Sequence, residues 1–413
     1  MPSLAKGLSR TVTQEKYGLM QRVYLDHNAT SPLRPEARDS MIAAWDVVGN
    51  PSSVHREGRA ARALIEAARQ KVAALVGAQA AQVVFTSGAS EANMLALTPR
   101  MVEAYQPAPA SHLYCSAIEH PSVLSGGRFM SEARCDFPVL PSGLVDLDVM
   151  RAILASHDHT DGRAMIAIMA VNSETGVIQP IEKIGALAQE YDAYFHLDAV
   201  QAAGRIPLDM ARIGCSSLSL SAHKLGGPKG VGALIMARDG LEPEPLIVGG
   251  PQENRIRAGT ENVAGIAAFG AVCDCALASL DEGQGIGRLQ SLRDDFEARL
   301  LQIAPGVEIF GQSAPRVANT CQFAIPGLKG DTTLIQLDLA GVAVSSGSAC
   351  SSGKVAASHV LVAMGYDADL ANSAIRMSLG WNSVSGDIDA LLAQLAKICT
   401  KNSQKTSRGI VHA

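Results

Sequence analysis

Lys224 follows the run SLSLSAH and precedes the glycine-rich LGGPKGVG. An amine held in a tight turn beside a buried strand is poorly hydrated, and that frees it to condense with a carbonyl. A lone loop lysine would read as surface, so its company decides. His196-Leu197-Asp198 ends an earlier apolar run, and an Asp at a strand's carboxyl end can pair with a protonated ring nitrogen and keep that ring an electron sink. A helix-capping Asp is the plainer role. Gln201, three residues on, is spaced to reach an oxygen on the same ring. Thr86-Ser87-Gly88-Ala89-Ser90-Glu91 joins a strand to a helix, where free backbone N–H groups and the helix dipole favour a phosphate. Ser221 and His223 offer two further donors beside the lysine. His120, in the turn IEHPS, supplies a flat imidazole that can stack on a ring and handle protons.

Two further residues carry chemistry of another kind. Cys350 sits in VSSGSACSSG, a small, polar, glycine-rich setting unlike the apolar surroundings of a structural cysteine. A thiol that must enter and leave a pocket needs such a loop. Arg376 interrupts the apolar run AIRMSLG. Arginine is rarely buried unpaired, and its partner is either a substrate carboxylate, held bidentately, or a structural acid.

The elements that must position these groups alternate. AQVVFTSG, AMIAIMAVN, AYFHLDAV, SLSLSAHK and GVGALIMAR read as strands, and IEKIGALAQEY as a helix between two of them. Strand and helix in alternation predict an α/β fold with a mostly parallel sheet flanked by helices. Ligands of such sheets bind beyond the carboxyl ends of the strands. After residue 265 the pattern changes. A helical stretch over Val263–Ile303 leads to short strands at ANTCQFAIP and GVAVSSGS and helices at VLVAMGY and DIDALLAQLAKIC, which predicts a smaller α+β domain. The expected division is a tail over 1–22, an opening segment over 23–35 packing near the small domain, a large domain over 36–265, and a mostly small-domain remainder over 266–413 carrying the cysteine loop.

With 413 residues, 47% hydrophobic and 18% charged, the composition is that of a globular protein with a large core. A net charge of -5 and 4% aromatic residues favour neither nucleic acid nor an anionic membrane. No apolar run approaches the roughly 20 residues of a membrane span. The first 22 residues carry Lys6, Arg10, Lys16 and Arg22 against Glu15 and lack the apolar run of a secretory signal. Eight cysteines in a chain this size do not form a disulfide framework, and Cys273 and Cys275 read as buried helix cysteines. A reducing cytoplasm is the expected compartment.

Taken together, YLDHNAT, GNPSSVHREGR, TSGASEAN, IEHPSV, HLDAVQAAGRI, SAHKLGGPKGVGAL, RAGTEN, SSGSACSSG and AIRMSLG resemble, in order and spacing over about Val23 to Leu395, the class V aminotransferase-like group of fold type I pyridoxal-phosphate (PLP) enzymes. Within it the chain resembles the cysteine desulfurases of the iron–sulfur-cluster and nitrogen-fixation type. The resemblance implies that Lys224 carries PLP, Asp198 meets the ring nitrogen, Gln201 its phenolic oxygen, and His120 stacks on the ring. It implies that Ala89, Ser90, Ser221 and His223 hold the phosphate, with Thr260 reaching the phosphate of a neighbouring subunit in a homodimer. It implies that Arg376 and Asn172 bind substrate and that Cys350 takes sulfur from L-cysteine as a persulfide, leaving alanine. The acceptor would be an iron–sulfur scaffold or another sulfur-acceptor protein. A selenocysteine lyase or a class V aminotransferase would share most of the same residues. The chain departs from the family in three places: Asn172-Ser173 replaces a pair of asparagines, so that Ser173 stands at the PLP-contacting position, Ser90 replaces a threonine, and Ala356-Ala357 replaces Glu-Pro after the cysteine loop.

Overall fold

The computed structural model describes residues 22–237, 240–280, 285–346 and 357–410. It opens with β1 (Val23–Tyr24), then α1 (Pro35–Trp45), α2 (Arg56–Leu75), β2 (Val83–Thr86), α3 (Ala89–Ala96), β3 (Met101–Glu103) and β4 (Gln106–Pro107). The predicted alternation follows as β5 (Ala110–Ser116), α4 (Pro121–Leu124), β6 (Arg134–Phe137), α5 (Leu147–Ala155), β7 (Arg163–Met169), α6 (Ile181–Glu190) and β8 (Tyr194–Asp198). After these come α7 (Met210–Ile213), β9 (Ser217–Ser221), β10 (Gly232–Met236) and β11 (Leu241–Pro243). The remainder is α8 (Val263–Ser279), α9 (Ile286–Ile303), β12 (Glu308–Ile309), β13 (Thr320–Ala324), α10 (Gly330–Leu339), β14 (Val342–Ala343), α11 (His359–Ala363), α12 (Ala368–Asn372), β15 (Ile375–Ser378) and α13 (Ser385–Ile410).

The central sheet has seven strands in the order β2-β10-β9-β8-β7-β5-β6. Pairs β5–β6, β5–β7, β7–β8 and β8–β9 are parallel, and only β10 runs against its two neighbours. This is the predicted mostly parallel sheet. Every residue of β2, β8, β9 and β10 is buried, as continuous apolar runs covered on both faces require. Ile166, Ile168, Phe195, Leu218 and Leu220 belong to the core on one face, and Leu113, Cys115, Met165, Ala167 and Leu234 to the core on the other.

A second core lies apart from the sheet. Phe296 and Leu300 of α9, Phe323 of β13, Leu337 of α10, Met377 of β15 and Leu391 and Leu395 of α13 pack together with Leu25 of the opening segment. The helical stretch expected over Val263–Ile303 is two helices, and they serve different cores. Ile266, Phe269, Val272 and Cys273 of α8 pack into the sheet's core, so we place the division between the domains after Ser279 rather than at residue 265. Among the described residues of the strand expected at GVAVSSGS, β14 covers Val342–Ala343, paired in parallel with β1. Cys273 is fully buried as expected, whereas Cys275 is only partly so. No helix among the described residues is long and apolar enough to cross a membrane.

The opening segment straps the two domains together. β1 lies on β14, Asp26 bridges to Ser378, and the backbone N–H groups of Ser31 and Arg34 donate to the carbonyls of His223 and Gly226 at 2.9 and 2.8 Å. Glycine lets the strap lie close to the small domain, since a methyl on Gly380 would fall 1.8 Å from Nδ1 of His27.

Candidate active site

Because β2, β5, β7, β8 and β9 run the same way, their carboxyl ends meet along one edge of the sheet. The turn after β2 leads to Ala89 and Ser90, the turn after β5 to His120, and the turn after β7 to Asn172 and Ser173. Asp198 ends β8, and Ser221, His223 and Lys224 end and follow β9. The structure thus brings these residues to one edge, where a doubly wound sheet binds its ligands. Thr260 is exposed; it lines a separate cavity of about 170 Å³ with Thr86, Ser87 and Gly230.

Helix α3 begins at Ala89 with no side-chain cap. The first N–H groups of a helix have no intrahelical acceptor, so those of Ala89 and Ser90 face out of its start. The turn sits hard on β10: a methyl on Gly232 would lie 2.6 Å from the Gly88 carbonyl carbon. One turn into α3, Asn93 is fully buried. Its Nδ2 donates to Ser122 Oγ at 2.9 Å and to Asp198 Oδ2 at 3.0 Å, and its Oδ1 lies 3.0 Å from His196 Nε2. A carboxylate only accepts, so the amide nitrogen faces Asp198 and His196 Nε2 donates to the amide oxygen. His196 Nδ1 is then the acceptor for Ser217 Oγ at 2.8 Å. Burial, with Asp198 opposing it, holds the His196 pKa down at about 4, consistent with a neutral ring.

Asp198 is itself buried and accepts from the Val200 N–H at 3.1 Å. It forms no ion pair among the described residues. A buried carboxylate bonded only to neutral donors suits a protonated ring nitrogen. With the helix start on one side and Lys224 on the other, the residues fit PLP.

Lys224 closes a short 3₁₀ turn over Ala222–Lys224, and its Nζ donates to the carbonyls of Asn28 and Ala29 at 2.5 and 3.0 Å. Gln201 Nε2 donates to the same Asn28 carbonyl at 3.0 Å, and Gln201 Oε1 accepts from Arg205. The strap therefore reaches the site through one backbone oxygen. Burial and the neighbouring Lys224 and Lys229 hold the His223 pKa down at about 4, so its ring is neutral; its Nδ1 lies 3.2 Å from Thr30 Oγ1.

Arg376 is buried on β15, donating to Asp26 Oδ1 at 2.7 Å and to the Ser173 carbonyl at 3.1 Å. Its Nε has no partner among the described residues. The structural acid weighed against a substrate carboxylate is thus present, and it leaves part of the guanidinium unused. Asn172 is different. Its Oδ1 accepts from the N–H groups of Glu174 and Thr175, and its Nδ2 donates to the Ile118 carbonyl at 3.3 Å. Both ends of the amide are engaged inside the protein, so Asn172 shapes the turn carrying Ser173.

His120 caps α4. Its Nδ1 accepts from the Ser122 N–H at 3.1 Å and lies 2.8 Å from Ser122 Oγ. A backbone N–H only donates, so the neutral ring carries its proton on Nε2. Burial lowers the His120 pKa; Asp198 opposes this, and Lys224 and His359 add to it. Glu119 beside it is fully buried, with Oε1 accepting from Ser116 Oγ at 2.5 Å and the Met169 N–H at 2.9 Å. Burial pushes its pKa up to about 8. His359 Nε2 donates to the Glu119 carbonyl at 3.0 Å, and Ser358 Oγ donates to the buried Glu174 at 2.6 Å. Cys350 lies outside the described residues. On its two sides, Ser345 pairs its backbone with Arg376 and Ser358-His359 are bonded to Glu174 and the His120 turn.

Sequence reasoning passed over Asn93, His196, Asp26, Asn28, Glu119 and His359. Asn93 closes the TSGASEAN motif at helical spacing from Ser90, and that spacing was the available signal. The Asn28 and Asp26 contacts link residues hundreds of positions apart and leave no local trace.

A model of the aminotransferase class-V family matches residues 23–391. The chain is 40% identical over 387 residues to cysteine desulfurase IscS of Dictyoglomus turgidum, covering 93% of this chain and 96% of the relative. It is 38% identical over 382 residues to an IscS-like cysteine desulfurase of Mycobacterium tuberculosis, covering 90% and 95%. Among solved structures, a NifS-like protein of Rickettsia africae superimposes with a TM-score of 0.80 at 32% identity, over 92% of this chain and 99% of that one. These matches span the strap, the sheet edge and the second core alike, and the chain belongs to the cysteine desulfurases of the aminotransferase class-V family.

Proposed function

We propose that this enzyme removes sulfur from L-cysteine with PLP held on Lys224, and that Cys350 receives the sulfur. The observation that carries the reading is the meeting of Lys224, Asp198, His120 and the start of α3 at one sheet edge. PLP, when bound, supplies an electron sink that makes the Cα proton of the substrate acidic and its sulfur electrophilic. Asp198 holds the ring nitrogen protonated, Gln201 faces the phenolic oxygen, and the N–H groups of Ala89 and Ser90, with Ser221 and His223, take the phosphate. Ser173 takes the place of the usual ring-contacting asparagine. Arg376 presents its unused N–H groups to the substrate carboxylate. Lys224 Nζ takes the Cα proton, and His120 Nε2–H donates or accepts a proton as substrate enters and product leaves.

The thiolate of Cys350 attacks the substrate sulfur. An S–S bond forms as the Cβ–S bond breaks, the electron pair remains on the substrate carbon, and protonation there, with return of the Cα proton from Lys224, yields alanine. The persulfide then passes to an acceptor protein, of which an iron–sulfur scaffold is the expected class. Thr260 contacting the phosphate of a second copy, in a cytoplasmic homodimer, completes the reading.

The experiment is alanine and sulfide release from L-cysteine, with and without reductant, by the wild type, Lys224→Ala and Cys350→Ser. Lys224→Ala is expected to lose turnover and the borohydride-reducible link to PLP. Cys350→Ser is expected to bind PLP and respond spectrally to L-cysteine, yet to accumulate no persulfide and release little alanine. Full turnover by Cys350→Ser would refute the thiol's role. Activity retained on selenocysteine alone would favour a selenocysteine lyase.

A further inference from the structure

A cavity of about 240 Å³ is lined by Lys224, the strap and both domains. Of the residues assigned above to PLP and substrate, only Lys224 lines it. Its walls bring together Arg34 of the strap, Arg205 from the turn after β8 and Arg288 of α9, with His27 and Trp381 beside them. No Asp or Glu lines it among the described residues.

The three guanidiniums are bonded to neutral groups. Arg34 Nε donates to the Leu225 carbonyl at 3.1 Å, and its guanidinium carbon lies 5.2 Å from the centre of the Trp381 ring. Arg205 donates to the carbonyl and side-chain oxygens of Gln201. Arg288 donates to the carbonyls of Trp381, Gly380 and Ser383. None of the three forms an ion pair with a carboxylate among the described residues. An arginine has five N–H donors, so each keeps donors beyond these contacts. The field is strong enough to register on its neighbour, since burial and then the charges of Arg205 and Arg34 hold the His27 pKa down at about 3. Three like charges around one partly enclosed space repel, and removing water strengthens that repulsion. A carboxylate built into the wall would relieve it; so would an anion from solution.

We propose that this interdomain cavity is a second anion site, taking a small doubly charged oxyanion of the size and charge of inorganic phosphate. Arginine forks match the oxygen geometry of phosphate. At about 30 Å³ per water the cavity has room for such an ion and several waters. Two charges offset the three cations better than one, so a monocarboxylate binds more weakly. The site is separate from the PLP phosphate cradle at α3, and its ligand contacts strap, large domain and small domain at once.

The test is calorimetric titration of the PLP-loaded enzyme, in which the cofactor fills its own phosphate site, with inorganic phosphate and separately with acetate. Saturable one-site phosphate binding is expected, tighter than acetate, with no change in PLP absorbance. Arg34→Gln and Arg288→Gln are each expected to weaken phosphate at least about tenfold, about 1.4 kcal/mol, and Arg34→Lys, which keeps the charge, to weaken it less. Phosphate binding only after PLP is stripped, no saturable heat in the loaded enzyme, wild-type affinity in both glutamine variants, or acetate binding as tightly as phosphate would each overturn the proposal.

Discussion

Asn93 is the sharpest place to test how the site is held. It is fully buried and makes three contacts at 2.9–3.0 Å, to Ser122, Asp198 and His196. Asn93→Ala strips a donor from two oxygens and the acceptor from one imidazole N–H, all inside the protein. Leaving a buried polar group unsatisfied costs about 1–3 kcal/mol, more when it is charged. Partial rehydration of the space left by the amide returns some of this, and we expect a net loss of about 3 kcal/mol. For a domain of this size that is a fall of roughly 6–12 °C in the large-domain thermal transition. Asn93→Asp keeps the volume and discriminates further. It exchanges the amide N–H facing Asp198 for a carboxylate oxygen, which sets two like charges together in a buried place. The expected order of stability and of PLP retention is wild type, then Asn93→Ala, then Asn93→Asp. Thermal melts followed by the PLP absorbance and by far-ultraviolet circular dichroism read both quantities, and separate probes are needed because two domains need not melt as one. If Asn93→Asp held PLP as well as Asn93→Ala, or if Asn93→Ala melted with the wild type, the assignment of this network would be wrong.

Other perturbations report on neighbouring groups. Glu119, its pKa raised by burial to about 8 from 4.5, keeps a proton that the unfolded chain releases. Its stabilisation is full below pH 4.5 and is lost as pH rises towards 8, by up to about 1.4 kcal/mol per pH unit. Glu119→Gln should therefore gain stability relative to wild type across that window in urea melts, and parallel curves would refute the neutral acid. His196 runs the other way: with a folded pKa near 4 and an ordinary value of 6.5, its contribution is present above pH 6.5 and is lost as pH falls towards 4. His196→Gln should flatten that acid slope, and an unchanged slope would place the titration elsewhere. Asp26→Asn removes the charge that orients Arg376, so KM for L-cysteine should rise about tenfold with a smaller change in kcat; a fall in kcat alone would assign Arg376 another task.

The middle of the sheet was legible because β2, β8, β9 and β10 are short runs of buried residues. The edge was legible for the same reason, since a parallel sheet fixes where its loops meet. Residue 265 lies at the start of α8, which packs on the sheet's core. Its residues AGIAAFGAVC are apolar all round, and an apolar helix followed by another helical pattern reads as one stretch. DEGQGIG, with glycines at 283, 285 and 287, carried the break. The two readings of Arg376 were not rivals: the guanidinium has five donors, and Asp26 takes one of them. A turn asparagine such as Asn172, which accepts from the N–H groups two and three residues on, looks in sequence the same as one facing a ligand.

The strap explains why the site needs both domains. Asn28 and Ala29 contribute carbonyls, not side chains, to Lys224, so their positions depend on how residues 23–34 are pinned at each end. One end is held by β14 and by the Asp26–Arg376 pair, the other by His223 and Gly226. A carbonyl pair favours a charged ammonium over a neutral amine, whereas a lysine joined to a carbonyl compound has given up those hydrogens. On the proposed assignment, the two oxygens therefore hold Lys224 best after substrate has displaced it and its amine has taken the Cα proton, when it waits near Cα as an ammonium. Arg376, which orients the substrate carboxylate in the same proposal, shares its guanidinium with Asp26 of the same strap. A shift of the small domain would then move the substrate anchor and the lysine's resting place together, keeping the proton and its acceptor in register.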